Sequence, residues 1–377
     1  MRVLLTGGGS GGHVNPAIAI AETIKMNIPD AVIEFVGVEN GKECDLVPRA
    51  GYRLHYVDSQ GFSRSLSPKN IKALLLALHS PHSKKTQTIL EEFQPDIVIG
   101  TGGFVCWPLV KAAANAGIPT MLHESNCKPG LAVKMLQGSV DKILLNFPES
   151  LEYLKKRKKC EVVGNPLRSR FGTIPYDEAR AQLKLADGET MVLASAGSLG
   201  SEEVNTAVLE TLRTLAPTRP DTRFVLSTGK NNYETAKALY DEYELFRYSN
   251  VELCDYIYDM ALYMAASDVV ITRAGAISLS ELAGMGKAAI VIPSPHVPDG
   301  HQLRNAQALS DRGAAMLVEQ KDFSGGALPR AILKLLDEPD IRRGLEKNIR
   351  EFSNKDANRR IYELIVETVE RNRNKKK

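Results

Sequence analysis

One arrangement restricts this chain's fold more than any other, and it occurs twice. An apolar run leads through a glycine-rich turn into a stretch of helical periodicity, first at LLTGGGSGGHVNPA (4–17) and again around AGSLGS (196–201). A buried strand that turns on glycines into a helix is the opening unit of a doubly wound parallel sheet. Short β-rich runs continue from each opening, at 3–6, 32–36, 53–57, 96–100, 119–124, 142–146 and 161–163, then at 191–195, 224–227, 251–254, 268–272, 289–293 and 316–319. Helix-like segments separate them, and this alternation predicts parallel sheets. The Gly- and Pro-rich stretch VGNPLRSRFGTIPYD (163–177) divides the two series. The expectation is an α/β chain of two Rossmann-like domains, 1–165 and 166–345. A closing helix over 346–377, with Ile361, Leu364, Ile365 and Val369 at helical spacing and a basic tail, should pack back toward the first domain. Ligands of such sheets sit at the carboxyl ends of the strands, so the expected site is the cleft between the domains.

A chain of 377 residues is long enough for two cores. Its 48 basic and 45 acidic residues leave a net charge of +3, which argues against a nucleic-acid partner held by counterion release. The five cysteines are scattered, with no C-x-x-C pair, so neither a disulfide framework nor a zinc site is expected. No apolar stretch approaches the roughly 20 residues needed to cross a bilayer. The first residues read as a strand, not a secretion signal. No D-x-D pair is present to chelate a metal beside a diphosphate, so no metal or cofactor is expected.

The first turn places Ser10, Gly11 and Gly12 at a helix start, where main-chain N–H groups suit an anionic or hydroxyl-rich ligand. Gly7-x-Gly9-x-x-Gly12 is formally a dinucleotide fingerprint, with Glu39 available to a ribose. Against a nicotinamide reading, the next position is His13, where such a helix would pack an apolar residue. An imidazole at that place is a candidate general base. In the second half, Arg273-Ala274-Gly275 leads into a helix from Ala276, with Glu281 able to accept both hydroxyls of a ribose. The loop SPHVPDGHQLRNA offers Asp299, His301, Gln302 and Asn305 to sugar hydroxyls, and Arg168 could clamp a diphosphate.

Taken together, GGSGGHVNPA, LVPRAG, GTGGFV, HESN followed by PGL, VGNPLR, AGSLGS with Asn205, YIYDM, RAGAISLSEL and HQLRNA resemble glycosyltransferase family 28 along nearly the whole chain. The resemblance implies the GT-B fold and transfer of N-acetylglucosamine from its UDP donor to an undecaprenyl-diphosphate muramyl-pentapeptide lipid. It implies donor contacts at Ser10, Gly11, Gly12, Asn126, Arg168, Ser198, Ile257, Ala276, Ile277, Ser278, Leu279, Ser280, Glu281 and Gln302. His13 matches the suspected base, Glu124 is the alternative, and His123 and Glu124 are expected to line an acceptor-side pocket. An epimerase of the same nucleotide sugar is the rival activity. The implied partners are UDP-N-acetylglucosamine, the undecaprenyl-linked lipid, an anionic membrane surface at the cytoplasmic face, and other cell-wall synthesis proteins. Membrane contact is expected along SLSPKNIKALLLALHSPHSKK, where Ile71, Leu74, Leu75 and Leu78 share a helical face among Lys69, Lys72, Lys84 and Lys85. The sequence departs from the family's usual residues at Ala196, at Tyr258 and at Cys106-Trp107.

Overall fold

The computed structural model describes residues 1–57, 80–197, 200–297, 300–354 and 356–376. The chain forms two compact units, Met1–Ser169 with Asn354–Lys377, and Arg170–Ser353.

The first unit is built on seven strands: β1 (Arg2–Thr6), β2 (Val32–Gly37), β3 (Arg53–Tyr56), β4 (Ile97–Gly100), β5 (Thr120–Glu124), β6 (Lys142–Leu145) and β7 (Cys160–Val162). They pair in parallel in the order β3-β2-β1-β4-β5-β6-β7. The order in which successive strands are added therefore reverses between β1 and β4, and the loops that follow these two strands meet at the sheet's carboxyl edge. The strands read as continuous Val/Ile/Leu because both faces are covered. Along β1, Val3 and Leu5 enter one apolar layer while Leu4 enters the other. The Ala357–Lys376 helix completes the first of these layers, setting Ile361, Leu364, Ile365 and Val369 among Val14 and Ile18 of the Gly11–Asn27 helix. Asn358 fastens its start by a reciprocal pair with the Leu167 backbone, accepting from N–H at 2.9 Å and donating to the carbonyl at 2.7 Å.

The second unit repeats the plan with β8 (Thr190–Ser195), β9 (Thr222–Ser227), β10 (Val251–Cys254), β11 (Val269–Arg273), β12 (Ala288–Ile292) and β13 (Met316–Leu317). The order is β10-β9-β8-β11-β12-β13. Here Val192 and Ala194 face one core layer while Met191 and Leu193 face the other. All thirteen β-rich runs read from the sequence are strands of these two sheets, with ends within two residues of the expected ones. No helix among the described residues is long and apolar enough to cross a membrane.

Candidate active site

At the reversal point of the first sheet, two glycine turns lie back to back. Gly103 approaches Gly8 so closely that a Cβ there would collide with the Gly8 carbonyl. Thr101 Oγ donates to the His13 carbonyl at 2.7 Å and locks the start of the Gly11–Asn27 helix against the β4 loop. Cys106 braces the same turn, donating from Sγ toward the Thr6 carbonyl at 3.1 Å and the Gly102 carbonyl at 2.9 Å. Burial pushes its thiol up to about 12, so this departure from the family pattern is a structural thiol, not a nucleophile.

The helix begins at Gly11 with Ser10 at its N-cap position, and the Ser10 side chain does not cap it. Helical geometry leaves the first amides of such a turn directed outward. The imidazole of His13 turns back: Nδ1 lies 3.0 Å from the Gly8 carbonyl oxygen and 3.4 Å from Ser10 Oγ. A carbonyl only accepts, so Nδ1 donates, and the neutral ring carries its lone pair on Nε2. The Cδ2–Nε2 edge lies over Gly102, where an added Cβ would come within 2.6 Å of Cδ2.

Behind this turn lies a residue that no motif pointed to. Glu43, 1 % exposed, accepts from Gly9 N–H through Oε2 and from Val38 N–H through Oε1, both at 3.1 Å. Its carboxylate fills space that side chains on Gly8, Gly37 or Gly41 would occupy. The only trace in the sequence is a pair of glycines shortly before it, Gly37 and Gly41, and spacing alone does not say what such glycines make room for.

The HESN loop follows β5. Glu124 is buried and accepts three hydrogen bonds from its own loop, from Asn126 N–H at 2.9 Å, Asn126 Nδ2 at 3.2 Å and Gly130 N–H at 2.7 Å. Both carboxylate oxygens are thus committed to holding Asn126 and the start of the next helix. The expectation that His123 lines a pocket is corrected. The ring is fully buried, with Nε2 donating to the Gly164 carbonyl at 3.0 Å, because its alternate position on β5 points into the core. Burial drives its pKa down to about 4, so it is neutral. Arg168, with its side chain 42 % exposed, pairs through Nε with Glu22 on the first helix at 2.9 Å.

In the second unit the corresponding opening is held by a cation. Arg273, 8 % exposed at the end of β11, donates to Ser201 Oγ and Gln320 Oε1, each at 2.6 Å, and toward the carbonyls of Ile292 and Pro293. Burial lowers its pKa, yet a guanidinium stays charged. Ser201 in turn caps the Glu202–Thr218 helix by accepting from Val204 N–H at 3.4 Å. The Ala276–Met285 helix starts from Gly275 without a side-chain cap. Ala276, Ile277 and Leu279 are buried in the core, leaving the half-buried Ser278, Ser280 and Glu281 to face outward. Ser280 Oγ donates to the Ala276 carbonyl at 3.0 Å. Ile257 is 6 % exposed, and its side chain packs in the core of this unit. Gln302 accepts from Ser294 N–H at 2.9 Å, which pins the loop before it, and Asn305 donates to the Ala274 carbonyl at 3.2 Å. Ser198, Asp299 and the segment 58–79, including Lys69, Ile71, Lys72, Leu74, Leu75 and Leu78, lie outside the described residues.

The residues read from sequence thus fall into two sets. Ser10, Gly11, Gly12, His13, Glu124, Asn126 and Arg168 belong to the first unit; Ile257, Ala276 to Glu281 and Gln302 belong to the second.

Residues 3–145 match the glycosyltransferase family 28 N-terminal domain and residues 191–361 match the glycosyltransferase family 28 C-terminal domain. The chain is 38 % identical over 367 residues to the UDP-N-acetylglucosamine--N-acetylmuramyl-(pentapeptide) pyrophosphoryl-undecaprenol N-acetylglucosamine transferase of Caldanaerobacter subterraneus subsp. tengcongensis, covering 97 % of this chain and 99 % of that one. The protein of the same name from Alkaliphilus oremlandii is 38 % identical over 377 residues, covering 98 % and 100 %. Among solved structures, Acinetobacter baumannii MurG superimposes with a TM-score of 0.71 at 24 % identity over 97 % of this chain and 99 % of that one. UDP-GlcNAc 2-epimerase from Neisseria meningitidis gives 0.65 at 16 % identity over 98 % and 100 %. At these identities the structural likeness is one of fold, and the fold is GT-B. With both domain matches in chain order and relatives aligned end to end, the chain belongs to glycosyltransferase family 28.

Proposed function

We propose that this enzyme transfers N-acetylglucosamine from UDP-N-acetylglucosamine to the C4 hydroxyl of the muramyl residue on undecaprenyl-diphosphate-muramyl-pentapeptide, completing the lipid-linked disaccharide of peptidoglycan synthesis. The observation that carries this reading is the 38 % identity, over 97 % of the chain, to transferases named for that reaction.

The acceptor hydroxyl attacks the anomeric carbon from the face opposite UDP and inverts it. As the C–O bond forms, the hydroxyl proton passes to Nε2 of His13, which holds the lone pair because Nδ1 donates to the Gly8 carbonyl at 3.0 Å. His13 is the base in preference to Glu124, whose oxygens already accept three hydrogen bonds within their own loop. Negative charge on the departing diphosphate is met by the amides at the start of the Ala276–Met285 helix, by the second glycine loop with Ser198, and by Arg168. Glu281 takes the ribose, the Ile257 backbone takes the uracil, and Gln302 takes the sugar. Ser10, Gly11, Gly12 and Asn126 complete the donor contacts. The acceptor is a lipid, so the enzyme works at the anionic cytoplasmic face of the membrane. The leucines and lysines that the sequence carries over 65–85 support attachment there, and association with other cell-wall synthesis proteins would follow from sharing their substrate.

The test is the identity of the product. With labelled donor and the muramyl lipid, label should move into the lipid with a β-linkage by NMR. Conversion of the donor into its 2-epimer without lipid would instead favour the epimerase reading that the fold also accommodates.

A further inference from the structure

We propose that Glu43 is a positioning residue for His13, acting through the single peptide group that joins Gly8 to Gly9. That group is gripped at both ends: its N–H donates to Glu43 Oε2 at 3.1 Å, and its carbonyl accepts from His13 Nδ1 at 3.0 Å. A carboxylate at the N–H end of an amide draws the N–H dipole toward itself and adds electron density to the carbonyl oxygen, so the two hydrogen bonds strengthen one another. The stronger carbonyl acceptor fixes the Nδ1–H tautomer, turns the ring, and stabilises the positive charge that arrives when Nε2 takes a proton.

The surroundings of Glu43 serve this role. At 1 % exposure its charge is little screened by water, and its second oxygen is fixed by Val38 N–H at 3.1 Å, so the carboxylate cannot swing away. Gly8, Gly37 and Gly41 each leave out the Cβ that would displace it. Thr101 holds the other side of the assembly through the His13 carbonyl at 2.7 Å. Carboxylate, peptide and imidazole thus form a relay in which no proton leaves the peptide.

This proposal rests on His13 acting as the base of the transfer, and the test separates the two ideas. Glu43→Gln keeps the volume and removes the charge. The expected result is a kcat lowered about tenfold or more, with KM for UDP-N-acetylglucosamine changed by less than about twofold. Imidazole ¹⁵N spectra, recorded on the neutral ring, should show the Nδ1–H tautomer in the unmodified protein and a substantial Nε2–H population in the variant. An Nε2–H tautomer in the unmodified protein, or a variant whose tautomer does not move, would overturn the proposal whatever happens to kcat. Should the glutamine protein fail to fold, Glu43→Asp draws the charge back by one methylene and is judged on the same tautomer shift. If the unmodified protein shows the expected tautomer but transfers no sugar, the functional reading fails while the positioning of the ring stands.

Discussion

The two units open with the same device, a strand that turns on glycines into a helix, but the charge buried behind the turn has opposite sign. Behind the first lies the Glu43 carboxylate, holding Gly9 N–H at 3.1 Å; behind the second lies the Arg273 guanidinium, holding Ser201 Oγ at 2.6 Å. The helix ends differ to match. The first begins without a side-chain cap and bears an imidazole in its first turn, whereas the second is closed by Ser201. Either group could hold a loop by hydrogen bonding alone, so the difference teaches something about the charge each loop must tolerate. On the proposed chemistry the first loop accumulates positive charge as His13 takes a proton, and a carboxylate favours that. The second faces a departing diphosphate, and a guanidinium favours that. One fold used twice thus carries buried charges of opposite sign behind its two glycine turns.

The most severe way to break the comparison is to remove the imidazole. His13→Ala should lower kcat about 10²- to 10⁴-fold while donor affinity, measured by calorimetry, stays within about twofold. Near-normal turnover would leave the first loop with no special role. Next comes the cation of the second loop. Arg273→Met should reduce the unfolding free energy in urea by about 3 kcal/mol, because Ser201, Gln320 and two carbonyls lose a buried partner, and should raise donor KM about tenfold. An unchanged KM would reduce Arg273 to a scaffold residue.

Sharpening the comparison requires separating loop chemistry from buried charge in general, and His123 allows that. Its folded pKa of about 4 lies below the unfolded 6.5, so the unfolded chain takes up the proton first. Stability is complete above 6.5 and is lost as pH falls toward 4, by roughly 3 kcal/mol in all. His123→Gln should lose that dependence in denaturant titrations across the window, without changing the pH at which turnover is half-maximal. The smallest effect belongs to the cap. Ser201→Ala should cost about 2 kcal/mol of stability by thermal melting, since it removes both the helix cap and the hydroxyl that accepts from Arg273.

Much of this was legible in the sequence. The strands were, because sheets covered on both faces demand runs such as MVLAS and VVIT. So was the glycine turn before His13, because only a short list of local structures needs five glycines in six positions. What spacing could not reveal were roles created by distant contacts. Glu43 is an ordinary glutamate until the fold brings Gly9, 34 residues earlier, onto its carboxylate. Arg273 acquires its role from Ser201, 72 residues away, and Gln320, 47 residues away. His123 and Glu124 stand side by side in HESN, and only the alternation of β5 and the path of its loop bury the first and turn the second onto Asn126 and Gly130. Periodicity locates elements, whereas the partners of a buried polar group are a property of the finished fold.

The most direct measurement of the central claim is UDP release by the unmodified enzyme, with and without the muramyl lipid. Transfer predicts one UDP for each sugar moved and next to none when the lipid is withheld. Equal release in both conditions, or an absence of release when donor and lipid are both present, would contradict it.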